Sequence, residues 1–250
     1  VCRKCVYSIV ILFASFFYSL HADASIVRER EFYEKRGDVI WDYGMMRVRY
    51  ISITFDDGPN PEFTPKILDL LAKYNAKATF FITGEKAEKH PKLVKRIVNE
   101  GHEIGNHTYS HMYNANISEE VLIDELTRTA EIIKGILGFS PILYRPVGGL
   151  YNDSIVAIAK KNNYQVVLWS WHQDPKDWMN PGVQKIVSHV QTGMKPGDII
   201  LLHDSGGDRS QTIEALELIL KDANRKKFNA VTVSELMILS EEIPPFLFSL

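Results

Sequence analysis

Residues 48–59 read Val-Arg-Tyr-Ile-Ser-Ile-Thr-Phe-Asp-Asp-Gly-Pro. An apolar, β-branched run from Val48 to Phe55 stops abruptly at two carboxylates and a Gly-Pro break. Such a stretch reads as a buried strand that delivers polar side chains into a loop. The pattern recurs along the chain. Further strands are expected over Ala78–Thr83, Glu103–Asn106, Ile142–Tyr144, Gln165–Trp171, Asp198–Leu202 and Ala230–Val233. Helical spacing fills the gaps at Pro65–Tyr74, Pro91–Glu100, Ser118–Leu137, Asp153–Asn162, Pro181–Val190 and Gln211–Lys221. Ser118, followed by Glu119 and Glu120, suits a helix start, and Gly138 suits a stop.

Strands alternating with helices predict parallel βαβ units in an α/β protein. A distorted (β/α) barrel and an open doubly wound sheet share that order. The polar residues favour the barrel. Asp56 and Asp57 end strand one, His107 follows strand three, Arg145 ends strand four, Asp174 follows strand five and His203 ends strand six. A barrel gathers such strand ends into one site, whereas an open sheet strings them along a line.

The chain has 250 residues, 45% of them hydrophobic and 24% charged, with a formal net charge of −2. That composition excludes a disordered chain, a collagen-like fibre and a protein of many membrane spans. No basic excess points to nucleic acid. Residues 1–24 carry Arg3 and Lys4, a charge-free run from Val6 to Leu20, and then Ala22-Asp23-Ala24. They read as a signal peptide cleaved after Ala24, with an uncleaved anchor as the alternative. The expected location is extracellular or cell-wall associated. Cys2 and Cys5 both lie in this segment, so the exported chain is expected to stand without disulfides. Residues 25–46 are a charged lead-in, 47–238 the expected α/β domain, and 239–250 a tail.

His107 and His111 are four residues apart, a spacing that puts both imidazoles on one face of a helical turn. With a carboxylate from a nearby strand end they would make a two-histidine, one-carboxylate metal set. Asp56 and Asp57 are adjacent, so on extended backbone they point apart and need different roles. Each feature has a plain alternative taken alone: surface histidines, an Asp-Asp-Gly-Pro turn, a core His203, an ion-paired Arg145, a turn with a packed tryptophan at Asp174-Pro175-Lys176-Asp177-Trp178. Five such features at strand ends in one chain argue against all the plain readings together. A serine hydrolase built from His203, Asp204 and Ser205 is disfavoured, because consecutive residues rarely converge and no Gly-x-Ser-x-Gly elbow is present.

These residues resemble the polysaccharide deacetylases with a NodB-homology domain, carbohydrate esterase family four. Thr-Phe-Asp-Asp-Gly-Pro at 54–59 is similar to the family's first motif and His-Thr-x-x-His at 107–111 to its second. Arg145-Pro146 opens the third, Asp174-x-x-Asp177-Trp178 resembles the fourth, and Leu201-x-His203 the fifth. The resemblance implies a distorted (β/α) barrel with about seven parallel strands. It implies one divalent ion, Zn²⁺ before Co²⁺, held by Asp57, His107 and His111. It implies Asp56 as general base, His203 as general acid, Arg145 orienting Asp56, and Asp174 tuning the charge network. Trp178 and Leu201 would wall the acetyl pocket, and the Gly148 amide would meet the oxyanion. The third motif departs from the family's usual Arg-Pro-Pro-aromatic-Gly, reading Arg145-Pro146-Val147-Gly148-Gly149 here. Tyr151 is the expected replacement ring. The implied reaction is N-deacetylation of a GlcNAc-containing polysaccharide by a monomer. Peptidoglycan is the first substrate, chitin oligosaccharide the second and O-acetylated xylan the third. A sugar-binding pseudoenzyme is the reading from a different class.

Overall fold

The computed structural model describes residues 28–44, 46, 48–113 and 117–240. The expected signal peptide, its cleavage site and both cysteines lie outside those residues, as does most of the tail. Among the described residues no helix is long and apolar enough to cross a membrane.

Eight parallel strands and nine α-helices follow one another among the described residues. They run α1 (Arg30–Lys35), β1 (Val39–Ile40), β2 (Tyr50–Asp56), α2 (Phe63–Lys73), β3 (Ala78–Ile82), α3 (Gly84–Lys89), α4 (Pro91–Asn99) and β4 (Glu103–Asn106). Then come α5 (Glu119–Leu137), β5 (Leu143–Tyr144), α6 (Asp153–Lys161), β6 (Gln165–Val167), α7 (Val183–Gly193), β7 (Ile199–His203), α8 (Ser210–Arg225), β8 (Asn229–Ala230) and α9 (Val233–Leu239). The sheet order is β1-β6-β5-β4-β3-β2-β7, with β8 paired to β2 off this path. Seven parallel strands thus curl into a distorted (β/α) barrel.

The strand that opened the sequence reading shows why the sheet curls. Ile51, Ile53 and Phe55 point outward into a cluster with Ile67, Leu68 and Leu71 of α2 and Leu216 and Ile219 of α8. Alternation sends Ser52, Thr54 and Asp56 to the opposite face. All seven residues but Tyr50 are buried, because helices cover one face and the barrel interior the other. Parallel strands covered on both sides behave this way. Phe55 stacks on Phe80 of β3 with centroids 5.0 Å apart.

Helix ends match the local chemistry. The Ser118 hydroxyl accepts from Val121 N, and Gly138 ends α5 in the left-handed conformation. Asn152 caps α6 through Ile155 N, and Thr232 with Glu235 forms a capping box on α9. Such caps each stabilise a helix by about 1 kcal/mol.

Three expectations change. The lead-in contributes β1, whose Val39 and Ile40 pair with Val166 and Val167. The expected seventh strand shrinks to Asn229–Ala230 beside β2, because Thr232 starts α9. Strand five ends at Val167 rather than Trp171, because the chain there leaves β6 for β7. Ser170 N donates to Ile199 O and Leu201 N to Gln173 O. An antiparallel bridge between Asp42 and Asp198 finishes the closure.

Gly105 of β4 has no room for a side chain, since a Cβ there would run into the buried Phe81 ring. Gly105→Ala is therefore expected to destabilise the fold by about 1–3 kcal/mol through overpacking, read as a lower urea midpoint at unchanged slope.

Candidate active site

The ends of β2, β4, β5 and β7 meet at one mouth of the barrel. Asp56 and His203 are register partners on neighbouring strands, and so are Thr54 and Leu201. Leu201 lies two residues before His203, so both face the interior with Asp56.

Arg145 follows β5 and is fully buried, with 0% exposure. Its Nη1 donates to Asp56 Oδ1 at 2.7 Å and to Thr54 Oγ1 at 2.7 Å. Nη2 donates to Leu168 O at 2.7 Å and Nε to Val167 O at 3.1 Å. The guanidinium also lies 4.0 Å over the Phe81 ring. This fork fixes the Asp56 carboxylate from one side and leaves Oδ2 toward His107, 3.8 Å from Nε2. Deleting one partner of such a buried pair typically costs about 3–5 kcal/mol, because the other charge stays buried alone.

Asp57 departs from the strand. Its φ of 75° is rare for a residue with a side chain. That kink, rather than extended alternation, turns the carboxylate toward the histidines. His111 Nε2 is 2.8 Å from Asp57 Oδ1, and His107 Nε2 is 3.5 Å away. Burial opposes a charged Asp57, yet the His107 and His111 imidazoles beside it hold its carboxyl far below the usual range.

The His107–His111 segment is not a helical turn, contrary to the expectation from spacing. It is a loop with Thr108 at φ 66° and His111 at φ 58°. Glu125 of α5 shapes it: Tyr109 N, Ser110 N and the Ser110 hydroxyl all donate to its carboxylate at 2.8 Å. Gly84 N and Glu85 N of α3 donate to Thr108 O and Tyr109 O. The local sequence gave no sign of Glu125, which acts from a helix beyond the loop.

Three donor atoms, one each from Asp57, His107 and His111, lie within 4.8 Å of one another. His107 Nδ1 is 2.7 Å from Arg145 O. A carbonyl only accepts, so Nδ1 carries the proton and Nε2 offers its lone pair to the cluster. Ligands at ~2.1 Å around one tetrahedral ion stand roughly 3–3.5 Å apart, close to the spacings between Asp57 and the imidazoles. The donor set fits a divalent cation.

His203 is organised by Asp177. Asp177 Oδ1 lies 2.7 Å from His203 Nδ1, and Oδ2 accepts from His203 N and Thr212 Oγ1. Burial alone would push the imidazole pKa down. The hydrogen bond and charge of Asp177, with Asp56 and Asp57 nearby, instead raise it to about 9. Asp174, expected to tune these charges, only accepts from Lys176 N at 3.0 Å in its own turn. The carboxylate that meets His203 is Asp177, three residues later and just past Lys176 at φ 53°.

Trp178 follows Asp177, half exposed, and Leu201 is buried on β7. Gly148 follows Arg145-Pro146 at φ 62° in a 3-10 turn, Val147–Gly149. Tyr151 is not at the mouth. Its ring packs edge-on against Tyr33 and Trp41 at 5.3 and 5.5 Å. Two buttresses escaped the sequence reading. Lys86 Nζ donates to Asp57 O and Ser205 Oγ. Arg209 donates to Ser205 O, Gly206 O and Asp177 O, tying the His203 loop to Asp177.

A family profile described as polysaccharide deacetylase matches residues 44–167. A Bacillus cereus protein named peptidoglycan-N-acetylglucosamine deacetylase is 49% identical over 204 residues, 82% of this chain and 95% of that protein. The chain belongs to the polysaccharide deacetylase family. A Bradyrhizobium protein named chitooligosaccharide deacetylase is 36% identical over 192 residues, 72% of this deacetylase and 87% of that relative. A solved peptidoglycan N-acetylglucosamine deacetylase, Bc1960, superposes with a TM-score of 0.77 at 37% identity, covering 82% of this chain and 95% of that one. The deacetylase is a hydrolase with the Asp-His-His cluster at its centre.

In metal-free protein the His203 imidazole should titrate near pH 9, and Asp177→Asn should lower that value. Histidine ring proton shifts across pH read both. A raised pKa means that His203 adds stability fully below about pH 6.5, and that this is lost as pH climbs through about 9. Metal-free wild type should lose that increment over this window, and Asp177→Asn should not. His107→Ala and His111→Ala should each lower bound divalent metal, measured by atomic emission.

Proposed function

We propose that this deacetylase removes the N-acetyl group from GlcNAc residues of peptidoglycan with one Zn²⁺ per chain. What supports the reading is the meeting of an Arg145-held carboxylate and an Asp177-held imidazole at a two-histidine, one-carboxylate cluster. The named peptidoglycan deacetylases among its relatives support the substrate.

Amide hydrolysis needs a base for water, stabilisation of the oxyanion and a proton for the leaving nitrogen. Asp57, His107 and His111 would hold the ion, which supplies a Lewis acid for the acetyl carbonyl and for water. Asp56 Oδ2 takes the water proton while Oδ1 stays on Arg145. The Gly148 amide helps carry charge on the carbonyl oxygen. His203 starts protonated, as its raised pKa requires, and gives the proton on Nε2 to the departing nitrogen. Asp177 keeps Nδ1–H in place and stabilises the cation before transfer. Leu201 and Trp178 flank the acetyl methyl. A pseudoenzyme would not need both Asp56 and His203 in these settings. All the named residues belong to one chain, so a monomer suffices, and the protein acts outside the cell after cleavage at Ala24.

Asp56→Asn should retain metal and lose about 10²–10⁴-fold in turnover, while Asp57→Asn should lose metal. Metal content and rate measured together decide the roles, and the reverse pattern would exchange them. Mass spectrometry of peptidoglycan fragments, chitooligosaccharides and acetylxylan incubated with the Zn²⁺-loaded chain tests the substrate. Acetyl loss from peptidoglycan GlcNAc is expected. Loss confined to either other polymer would overturn that assignment.

A further inference from the structure

Two glycines follow Val147, and each lies against an aromatic ring from elsewhere in the chain. A Cβ on Gly149 would stand 2.7 Å from Trp169 Cη2, and one on Gly148 would run into the Tyr113 ring, with Cδ2 at 2.9 Å. Trp169 is partly buried against two core clusters. Tyr113 is the opposite case, 69% exposed. Packing therefore explains the first ring and not the second.

Its position is defined from two sides. Tyr113 comes two residues after His111, so the loop that holds the imidazole also carries the ring. Gly148 comes three residues after Arg145, the partner of Asp56. One ring edge thus lies against Gly148, three residues past the arginine, while the chain two residues before the ring carries an imidazole of the Asp-His-His cluster. The rest is open to solvent. Both loops are fixed from beneath, by Glu125 on one side and by the Arg145 fork on the other.

An exposed aromatic at the rim of a polar cleft offers a flat apolar face and a hydroxyl. A pyranose presents a matching face of C–H groups with hydroxyls around its edge. We propose that Tyr113 is the stacking platform for a sugar ring of the glycan and a specificity-determining residue of this deacetylase. It fills the role for which the sequence suggested Tyr151. Gly148 is its counterpart, since the missing side chain leaves space for the Tyr113 ring. The ring arrives from the metal-ligand loop rather than from the loop after β5, so substrate stacking and cluster geometry share one segment. The proposal rests on the deacetylase reading of the site.

Steady-state kinetics of the Zn²⁺-loaded chain on GlcNAc-containing peptidoglycan fragments test it. Tyr113→Ala should raise KM about tenfold, with kcat within about twofold and metal content unchanged. Tyr113→Phe, which keeps the ring face, should restore KM. An unchanged KM in Tyr113→Ala would overturn the proposal, as would a Phe variant as impaired as the Ala variant. Loss of metal together with kcat in Tyr113→Ala would also overturn it, since the residue would then be a loop support. Failure of the deacetylase reading would look different: wild type itself would leave every acetyl group in place.

Discussion

A guanidinium buried in the barrel, with four oxygens around it, is the interaction on which the rest depends. Arg145 binds the Asp56 carboxylate, the Thr54 hydroxyl and the carbonyls of Val167 and Leu168. It thereby joins β2, β5 and the exit of β6 across the interior. Its own carbonyl receives the His107 ring N–H, so the same residue orients one imidazole of the metal cluster. A buried charge is tolerated only when its donors are satisfied. Here that satisfaction uses up the carbonyls of residues 167 and 168, and β6 ends where it does.

The second constraint is backbone conformation. Asp57, Thr108 and His111 all sit at positive φ. Each such residue costs of order 1–3 kcal/mol when unsupported. Support comes from outside the loops: Glu125 under Tyr109 and Ser110, and Lys86 on Asp57 O. Gly206, at φ 81°, leaves the Asp57 carboxylate room that a Cβ at 2.9 Å would deny. These contacts hold the backbone on which the three donor side chains stand.

How far the sequence reveals this arrangement depends on the range over which each feature is encoded. The strand at 50–56 is legible because alternation and its Asp-Asp-Gly-Pro stop are local, and so are the caps of α5. β1 is not, since Val39 and Ile40 are two apolar residues in a charged stretch and become a strand only by pairing with β6. α3 is a single short helix of mostly charged residues with no apolar stripe to announce it. The choice between Asp174 and Asp177 turns on a left-handed Lys176 that residue type does not foretell. The metal trio was legible from its chemistry, although the spacing argument named the wrong backbone: a supported loop, not a helix, brings His107 and His111 together.

The closure of the barrel has a consequence for motion. Between β6 and β7 the ring is completed by irregular chain, a short β1 and a lone bridge from Asp42 to Asp198, not by a continuous ladder. Amide protection in a protein follows such differences, with the least-laddered segment opening first. β7, which carries His203, borders that seam, whereas β4 and its histidine loop lie on the far side of β3 and β2. The His203 side of the site therefore borders the irregular seam while β7 itself is held to β2 by five register pairs, and the histidine loop leaves β4, which pairs with four residues of β3 and with one of β5.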